Sequence, residues 1–225
     1  MFKQITQVNE QSFLIDFGSE INIEINTHVN LFFQIIINNP DKIRELNILN
    51  CVPSFNKILI QFDFLKIQKS KILDFIKSIK VKDIKVVGSI VEIPICYDGD
   101  NALDIDEIIK KTKLSKNKLI NIHLDTSFHV YMIGFVPGLP FMGDMDNSIS
   151  IPRKNTPRAM VPKGSVGIVD KLSVIYPQES PGGWNIIGRT PISFFFNNQN
   201  QSLLINPGDK VKFNRITQKE FNDYG

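Results

Sequence analysis

Cysteine is scarce in this chain. Cys51 and Cys96 stand apart, with no CxxC anywhere, and each reads as a buried free thiol rather than half of a disulfide. Long apolar runs are missing too: none approaches the ~20 residues that a membrane-spanning helix needs. The opening MFKQITQVNEQ has no apolar signal-peptide core. The expectation is therefore a cytoplasmic protein with no membrane partner. The three histidines, His28, His123 and His129, have no ligand spacing and there is no HExxH, so no self-contained metal site is expected. A GxxxxGK[ST] phosphate loop is absent, and so is a GxSxG nucleophile elbow, since Gly164-Ser165-Val166-Gly167 has the wrong spacing. The net charge of +3 is too small to argue for a nucleic-acid partner.

What the chain does have is concentrated. Eight of its twelve prolines and eight of its thirteen glycines fall between Gly134 and Pro191. There they alternate with Arg, Phe, Trp and short apolar runs, the pattern of tight turns joining short strands rather than of a linker.

The first ~90 residues follow a different pattern. Strands are expected at 12–17, 46–52 and 57–62, the last with Ile58, Ile60 and Phe62 on one face. A helix carrying Ile21, Ile25, Val29, Phe32 and Ile36 opens at Ser19, and a second, carrying Ile72, Phe75, Ile76 and Ile79, opens at Ser70. Residues 84–95 return to β character. The order β-α-β-β-α-β predicts a ferredoxin-like split βαβ unit over residues 1–90. Beyond it, Asp104 and Glu107 fit a capping box opening a short helix to Lys111, and Ser115 caps another running towards His123. Short strands follow at 128–135, 165–169, 172–176, 184–187, 192–196 and 210–214, giving an α+β chain whose residues 91–225 form a barrel or sandwich.

Between Ile151 and Thr190 six basic residues face two acids. Arg153, Arg158 and Arg189 stand beside Pro or Gly turns rather than on a helical face. A guanidinium held by rigid neighbours offers a forked donor pair to a carboxylate or phosphate. Adjacent glycines let an anion approach backbone N–H groups. Ser180-Pro181-Gly182-Gly183-Trp184 is a sharp turn before the sole Trp, which reads either as barrel core or as a pocket wall. His123 reads either as a structural hydrogen-bonder or as an acid–base group.

Taken together, EIPICYDGD (92–100), His123, VYMIGFVPGLPFMG (130–143), PRKNTPR (152–158), VPKGSV (161–166), IYPQESPGGW (175–184), IGRTP (187–191) and PGDKVKF (207–213) resemble the B-subunit family of the 5-oxoprolinases. FGSEINIEIN (17–26) and VPSF (52–55) extend the likeness over nearly the whole chain. That family is also known as allophanate hydrolase subunit 1 and includes KipI-type inhibitors of a sporulation histidine kinase. The resemblance implies a small α+β domain followed by a cyclophilin-like β-barrel. It implies ATP-dependent opening of 5-oxo-L-proline to L-glutamate together with a separate A component and a homologous C component, with ATP bound on a partner or at a shared interface. The alternative it implies is a regulatory protein that grips a histidine kinase. Under the enzyme reading His123, Arg153, Arg158 and Arg189 are the catalytic candidates. Gly164, Ser165, Ser180, Gly182, Gly183, Trp184 and Thr190 are the substrate contacts. Two segments depart from the family pattern: where a GxQTG-like run precedes IYP, this chain has Asp170-Lys171-Leu172-Ser173-Val174, which loses an amide donor and acceptor at Leu172, and where GFPYLGGL is usual it has Gly138-Leu139-Pro140-Phe141-Met142-Gly143-Asp144-Met145.

Overall fold

The computed structural model describes residues 2–81, 88–194 and 204–224, and the chain divides into two compact units at Val87/Gly88. In the first unit, β1 (Gln4–Asn9) turns back onto β2 (Ser12–Asp16). Then come α1 (Ile23–Ile37), α2 (Pro40–Glu45), β3 (Ile48–Pro53), β4 (Lys57–Phe62) and α3 (Lys69–Ser78). The sheet order is β1-β2-β4-β3, antiparallel throughout. Strand β4 thus lies between β2 and β3, which α1 and α2 connect: the split βαβ arrangement expected from the sequence. Of the β segment expected at 84–95, residues 84–87 lie outside the described residues, and the described strand, Ile90–Cys96, belongs to the barrel of the second unit rather than to this sheet. Among the described residues, the edge beside β2 is taken by β1, which the sequence pattern did not signal. Alternation in β2 and β4 turns Phe13, Ile15, Ile58, Ile60 and Phe62 inward, against Val29, Phe32 and Ile36 of α1 and Ile72 and Ile76 of α3. The helix starts differ from expectation. Asn22, not Ser19, caps α1 by accepting from the Ile25 amide, and α3 begins after Gln68 with no side-chain cap.

The second unit is built on a closed barrel. Its strands are β5 (Ile90–Cys96), β6 (Phe128–Ile133), β7 (Pro140–Gly143), β9 (Ser165–Val169), β10 (Leu172–Ile175), β12 (Asn185–Arg189) and β13 (Lys210–Ile216), in the order β10-β7-β6-β13-β5-β12-β9. Strands β8 (Arg158–Val161) and β11 (Ser180–Gly182) form a separate two-stranded ribbon. Helices α4 (Ile105–Thr112) and α5 (Lys116–Asp125) follow β5, and α6 (Gln218–Asp223) follows β13. Of the expected strand 192–196, Ile192–Phe194 are described and are not strand; the rest lies outside the described residues.

Two apolar clusters follow from the two-residue period of the strands. One side of each barrel strand feeds a large core: Ile93, Ile95, Phe128, Val130, Met142, Val166, Ile168, Ile175, Ile187, Val211 and Phe213, joined by Ile105, Ile108, Leu119 and Ile120 of α4 and α5. The opposite side of β9, β10 and β12 carries Gly167, Val174 and Ile186 in a row across three strands. Leu139, Val161, Tyr176, Phe141 and Trp184 close over that row as a smaller cluster. Among the described residues no helix is long and apolar enough to cross a membrane, and no group of His, Cys, Asp or Glu is arranged to hold a metal.

Candidate active site

The site grows from Asp104. The sequence suggested that this residue caps α4, but its side chain makes no cap hydrogen bond. Instead the carboxylate, 3% exposed, accepts from groups that are distant in sequence. Arg158 Nη1 and Nη2 donate to its two oxygens at 2.9 and 2.6 Å, Lys154 Nζ donates at 2.8 Å, and the Ile186 amide donates at 2.7 Å. Burial pushes the Asp104 carboxyl upward in pKa; the donors from Arg158, Lys154 and Ile186 outweigh it and hold the group below its ordinary value. The same bonds raise Arg158 and Lys154. Lys154 also donates to Glu107 at 2.8 Å. Two cations therefore face two carboxylates, and the cluster is close to neutral.

This network pins the 152–158 segment against the start of β12. The Lys154 amide donates to the Gly183 carbonyl at 2.9 Å, and Asn185 Nδ2 donates to the Pro152 carbonyl at 3.0 Å. Arg153 is consequently laid over Gly183: a β-carbon there would sit 2.7 Å from Arg153 Nε. Arg153 is exposed and in no ion pair among the described residues. Beside it Trp184 lies over Gly167, whose β-carbon would come within 2.8 Å of Trp184 Cβ, and meets Phe141 edge-on at 5.9 Å. Trp184 is thus half-buried and packs against the small cluster, one residue after the glycine that Arg153 covers. Of the two readings left by the sequence, the packing against Gly167 and Phe141 is the core one.

Gly182 has the same kind of necessity. A β-carbon there would stand 2.1 Å from Tyr176 Oη, so the Tyr176 hydroxyl is seated directly on the Gly182 backbone. Burial pushes this phenol up to about 12, with the charges of Arg153 and Arg158 pulling the other way. Ser180, two residues back on the same buried side of β11, has an Oγ with no partner among the described residues. Arg153, Arg158, Ser180, Gly182, Gly183 and Trp184 are therefore brought together. Asp104 and Tyr176 belong with them and were missed. A signal existed for the first: the 152–158 stretch carries three cations and no acid, so its counter-charge had to come from elsewhere in the chain.

The remaining predicted residues lie elsewhere. Arg189 is three residues past Ile186 on β12, roughly 10 Å at ~3.3 Å per residue. Its Nε donates to the Lys163 carbonyl at 2.7 Å and its guanidinium covers Phe221 of α6, 5.6 Å from the ring centre. Gly164 and Thr190 meet there because their backbones cross: Gly164 has φ +81°, and a β-carbon on it would stand 2.2 Å from the Thr190 carbonyl oxygen. Only glycine fits that crossing. Ser165 is buried and uses its carbonyl to accept from the Tyr176 amide. His123 requires a correction. It has no exposed surface, its Nδ1 lies 2.7 Å from Tyr97 Oη, and Phe128 and Phe213 pack on its ring. Burial drives its pKa down to about 3, which removes it from acid–base work near neutrality.

The departing segment at 170–174 has a local explanation. Asp170 takes φ +49° at the β9–β10 turn, a conformation that Asp tolerates better than most residues. Val174 fills the small cluster beneath Trp184. Leu172 packs over Gly143, near the Tyr131 ring.

Residues 3–205 match the model of the carboxyltransferase domain, subdomain C and D. The B subunit of 5-oxoprolinase from Bacillus subtilis is 36% identical over 98% of this chain and 96% of its own length. Its counterpart in Haemophilus influenzae is 36% identical over 75% of this chain and 80% of its own. Among solved structures, TTHA0988 superimposes with a TM-score of 0.81 at 27% identity, over 92% of this chain and 40% of that one. PH0987 from Pyrococcus horikoshii gives 0.57 at 36% identity over 97% and 100%. The urea amidolyase of K. lactis, at 21% identity and 0.77, shares the fold. By sequence along nearly its whole length, the chain belongs to the carboxyltransferase subdomain C and D family and, within it, to the B subunits of 5-oxoprolinase.

Proposed function

We propose that this chain is the B component of an ATP-dependent 5-oxoprolinase: a cytoplasmic protein that is inactive alone and, with a separate A component and a homologous C component, opens 5-oxo-L-proline to L-glutamate. The observation that carries this reading is the near end-to-end correspondence with the Bacillus subtilis protein of that name. The site's chemistry supports it. Lys154 and Arg158 are consumed by Asp104 and Glu107, which leaves Arg153 as the uncommitted cation of the cluster. One guanidinium beside an aromatic wall suits a small monoanionic carboxylate, with the carboxylate on Arg153 and the ring against Trp184.

The same balance does not suit a triphosphate. Its several negative charges need a cradle of amides or a group of free cations. The described residues of this site offer one free arginine, and the sequence has no phosphate loop. ATP is therefore assigned to a partner protein, and no step at this site is routed through it. What this chain supplies is binding, orientation and exclusion of water on one side of the lactam.

The test is ATP-dependent glutamate release from 5-oxoproline by this chain combined with the A and C components, each omitted in turn. Activity that disappears without this chain is the expected result. A complex that assembles but does not turn over 5-oxoproline would overturn the substrate. Failure to bind the C component would overturn the place in the complex and favour a regulatory protein.

A further inference from the structure

Tyr176 belongs to the small apolar cluster of the barrel unit. Its residue is 1% exposed, yet its hydroxyl makes no hydrogen bond to any described residue. Ser180 and Gly182 are buried positions flanking exposed Pro181, so they share the inner side of β11, and the Tyr176 hydroxyl touches that side at Gly182. Ser180 Oγ is likewise buried and unpartnered. Leaving a buried hydroxyl unsatisfied costs about 1–3 kcal/mol, a cost that Ser180 Oγ carries on this ribbon, as Ser173 Oγ does elsewhere in the barrel unit. Arg153 lies over the next residue, Gly183, within electrostatic reach of the phenol. A hydroxyl donor, a hydroxyl that both donates and accepts, and a free guanidinium thus converge on Gly182-Gly183.

We propose that Tyr176 and Ser180 are the contacts for the ring amide of the substrate: the Tyr176 hydroxyl donates to the lactam carbonyl, Ser180 Oγ accepts from the lactam N–H, and Arg153 holds the carboxylate. The ligand class is a cyclic amide bearing a carboxylate. This rests on the reading above and goes beyond it by assigning the amide, the group to be opened, to residues of this chain. Tyr176 is a substrate-binding residue here and passes no proton, since its high pKa keeps it a donor throughout the neutral range. A glycine at 182 follows from the same arrangement, because any side chain would displace the hydroxyl.

Trp184, the sole tryptophan, adjoins the site and makes its emission a direct probe. The experiment titrates the full-length chain with 5-oxo-L-proline and with L-proline, which keeps the carboxylate but has no ring carbonyl. The wild type is expected to give a saturable change with 5-oxoproline and to bind L-proline far more weakly. Tyr176→Phe should weaken 5-oxoproline binding tenfold or more while leaving L-proline binding unchanged; Ser180→Ala should act in the same direction and serves if Tyr176→Phe fails to fold. Unchanged 5-oxoproline affinity in the folded variants, equal weakening towards both ligands, or no response from the wild type overturns the proposal. The outcome is separable from the place of the chain in the complex, which stands or falls on glutamate release by the assembled components.

Discussion

The two ends of β12 use the same residue types for different purposes. At its start, around Ile186, a buried carboxylate gathers two cations and a backbone amide, and the result holds Arg153 at the surface unpaired. At its end, Arg189 is occupied by a loop carbonyl and an aromatic ring, while Gly164 and Thr190 are fixed by a backbone crossing. In sequence both ends look alike: arginine beside Pro and Gly. The difference is a distant acid. Where Asp104 and Glu107 together balance two cations, a third is left unpaired. Where no acid reaches, the arginine serves the fold.

The comparison is broken most severely by Asp104→Ala. It strands two cations and the Ile186 amide in a half-buried site. Removing one partner of a buried ion pair costs about 3–5 kcal/mol. Chemical denaturation should show a loss of that size in the barrel unit. Asp104→Asn, which keeps an acceptor, should cost less. A loss below about 1 kcal/mol for Asp104→Ala would mean that the network is not what anchors the 152–158 segment.

Gly164→Ala attacks the other end. The left-handed backbone alone costs about 1–3 kcal/mol for an ordinary residue, and the Thr190 carbonyl must also move. The expected result is lower stability with Arg153 chemistry intact: 5-oxoproline binding, read by Trp184, should persist in the folded fraction. Loss of binding at full stability would instead make Gly164 a ligand contact.

Acid sharpens the contrast once His123 is accounted for. Its native pKa, about 3, lies below the ordinary value of 6.5, so between those limits the unfolded chain binds a proton that the native chain does not. Stability therefore falls as pH drops below 6.5, by roughly 1.4 kcal/mol per pH unit. His123→Phe should remove its share of that slope, leaving the part due to His129, which burial also lowers, while costing about 1–3 kcal/mol for the orphaned Tyr97 hydroxyl. In that background the acid loss that remains below about pH 4 includes Asp104. Its native pKa is depressed, so its contribution is present above the ordinary carboxylate value and disappears as pH falls through the native one. An unchanged slope in His123→Phe would mean that His123 is protonated in the native core.

Local patterns in the sequence carried much of the fold. The alternation of Ile58, Ile60 and Phe62 and the helical steps of Val29, Phe32 and Ile36 describe the first unit because each obeys a single short period. The strands at 165–169 and 172–176 were legible from the Gly and Pro signals around them. The ribbon β8–β11 was not, since four- and three-residue strands lack a period to read. Asp104 was misread because its local context, with Glu107 three residues on, is that of a helix cap, whereas its partners lie some fifty to eighty residues away. His123 was legible as a histidine near a helix end, but nothing local records that the barrel closes around it. Site residues defined by long-range charge balance escape a one-dimensional reading for the same reason that they are specific.

The smallest effect on stability belongs to the arginines, and it decides the comparison most directly. Arg153→Ala removes an exposed side chain in no ion pair, so the denaturation midpoint should move little, within about 0.5 kcal/mol. Arg189→Ala loses one bond to a carbonyl and a cation–π contact at a partly exposed position, worth about 1 kcal/mol at most. Their ligand binding should diverge: 5-oxoproline affinity should drop at least tenfold in Arg153→Ala and hold within twofold in Arg189→Ala. Lys at position 153 should restore only part of it, because a point charge cannot reproduce a forked grip on a carboxylate. The reverse outcome, binding lost with Arg189 and kept without Arg153, would move the site to the far end of β12 and make the Asp104 network a brace for the ribbon alone.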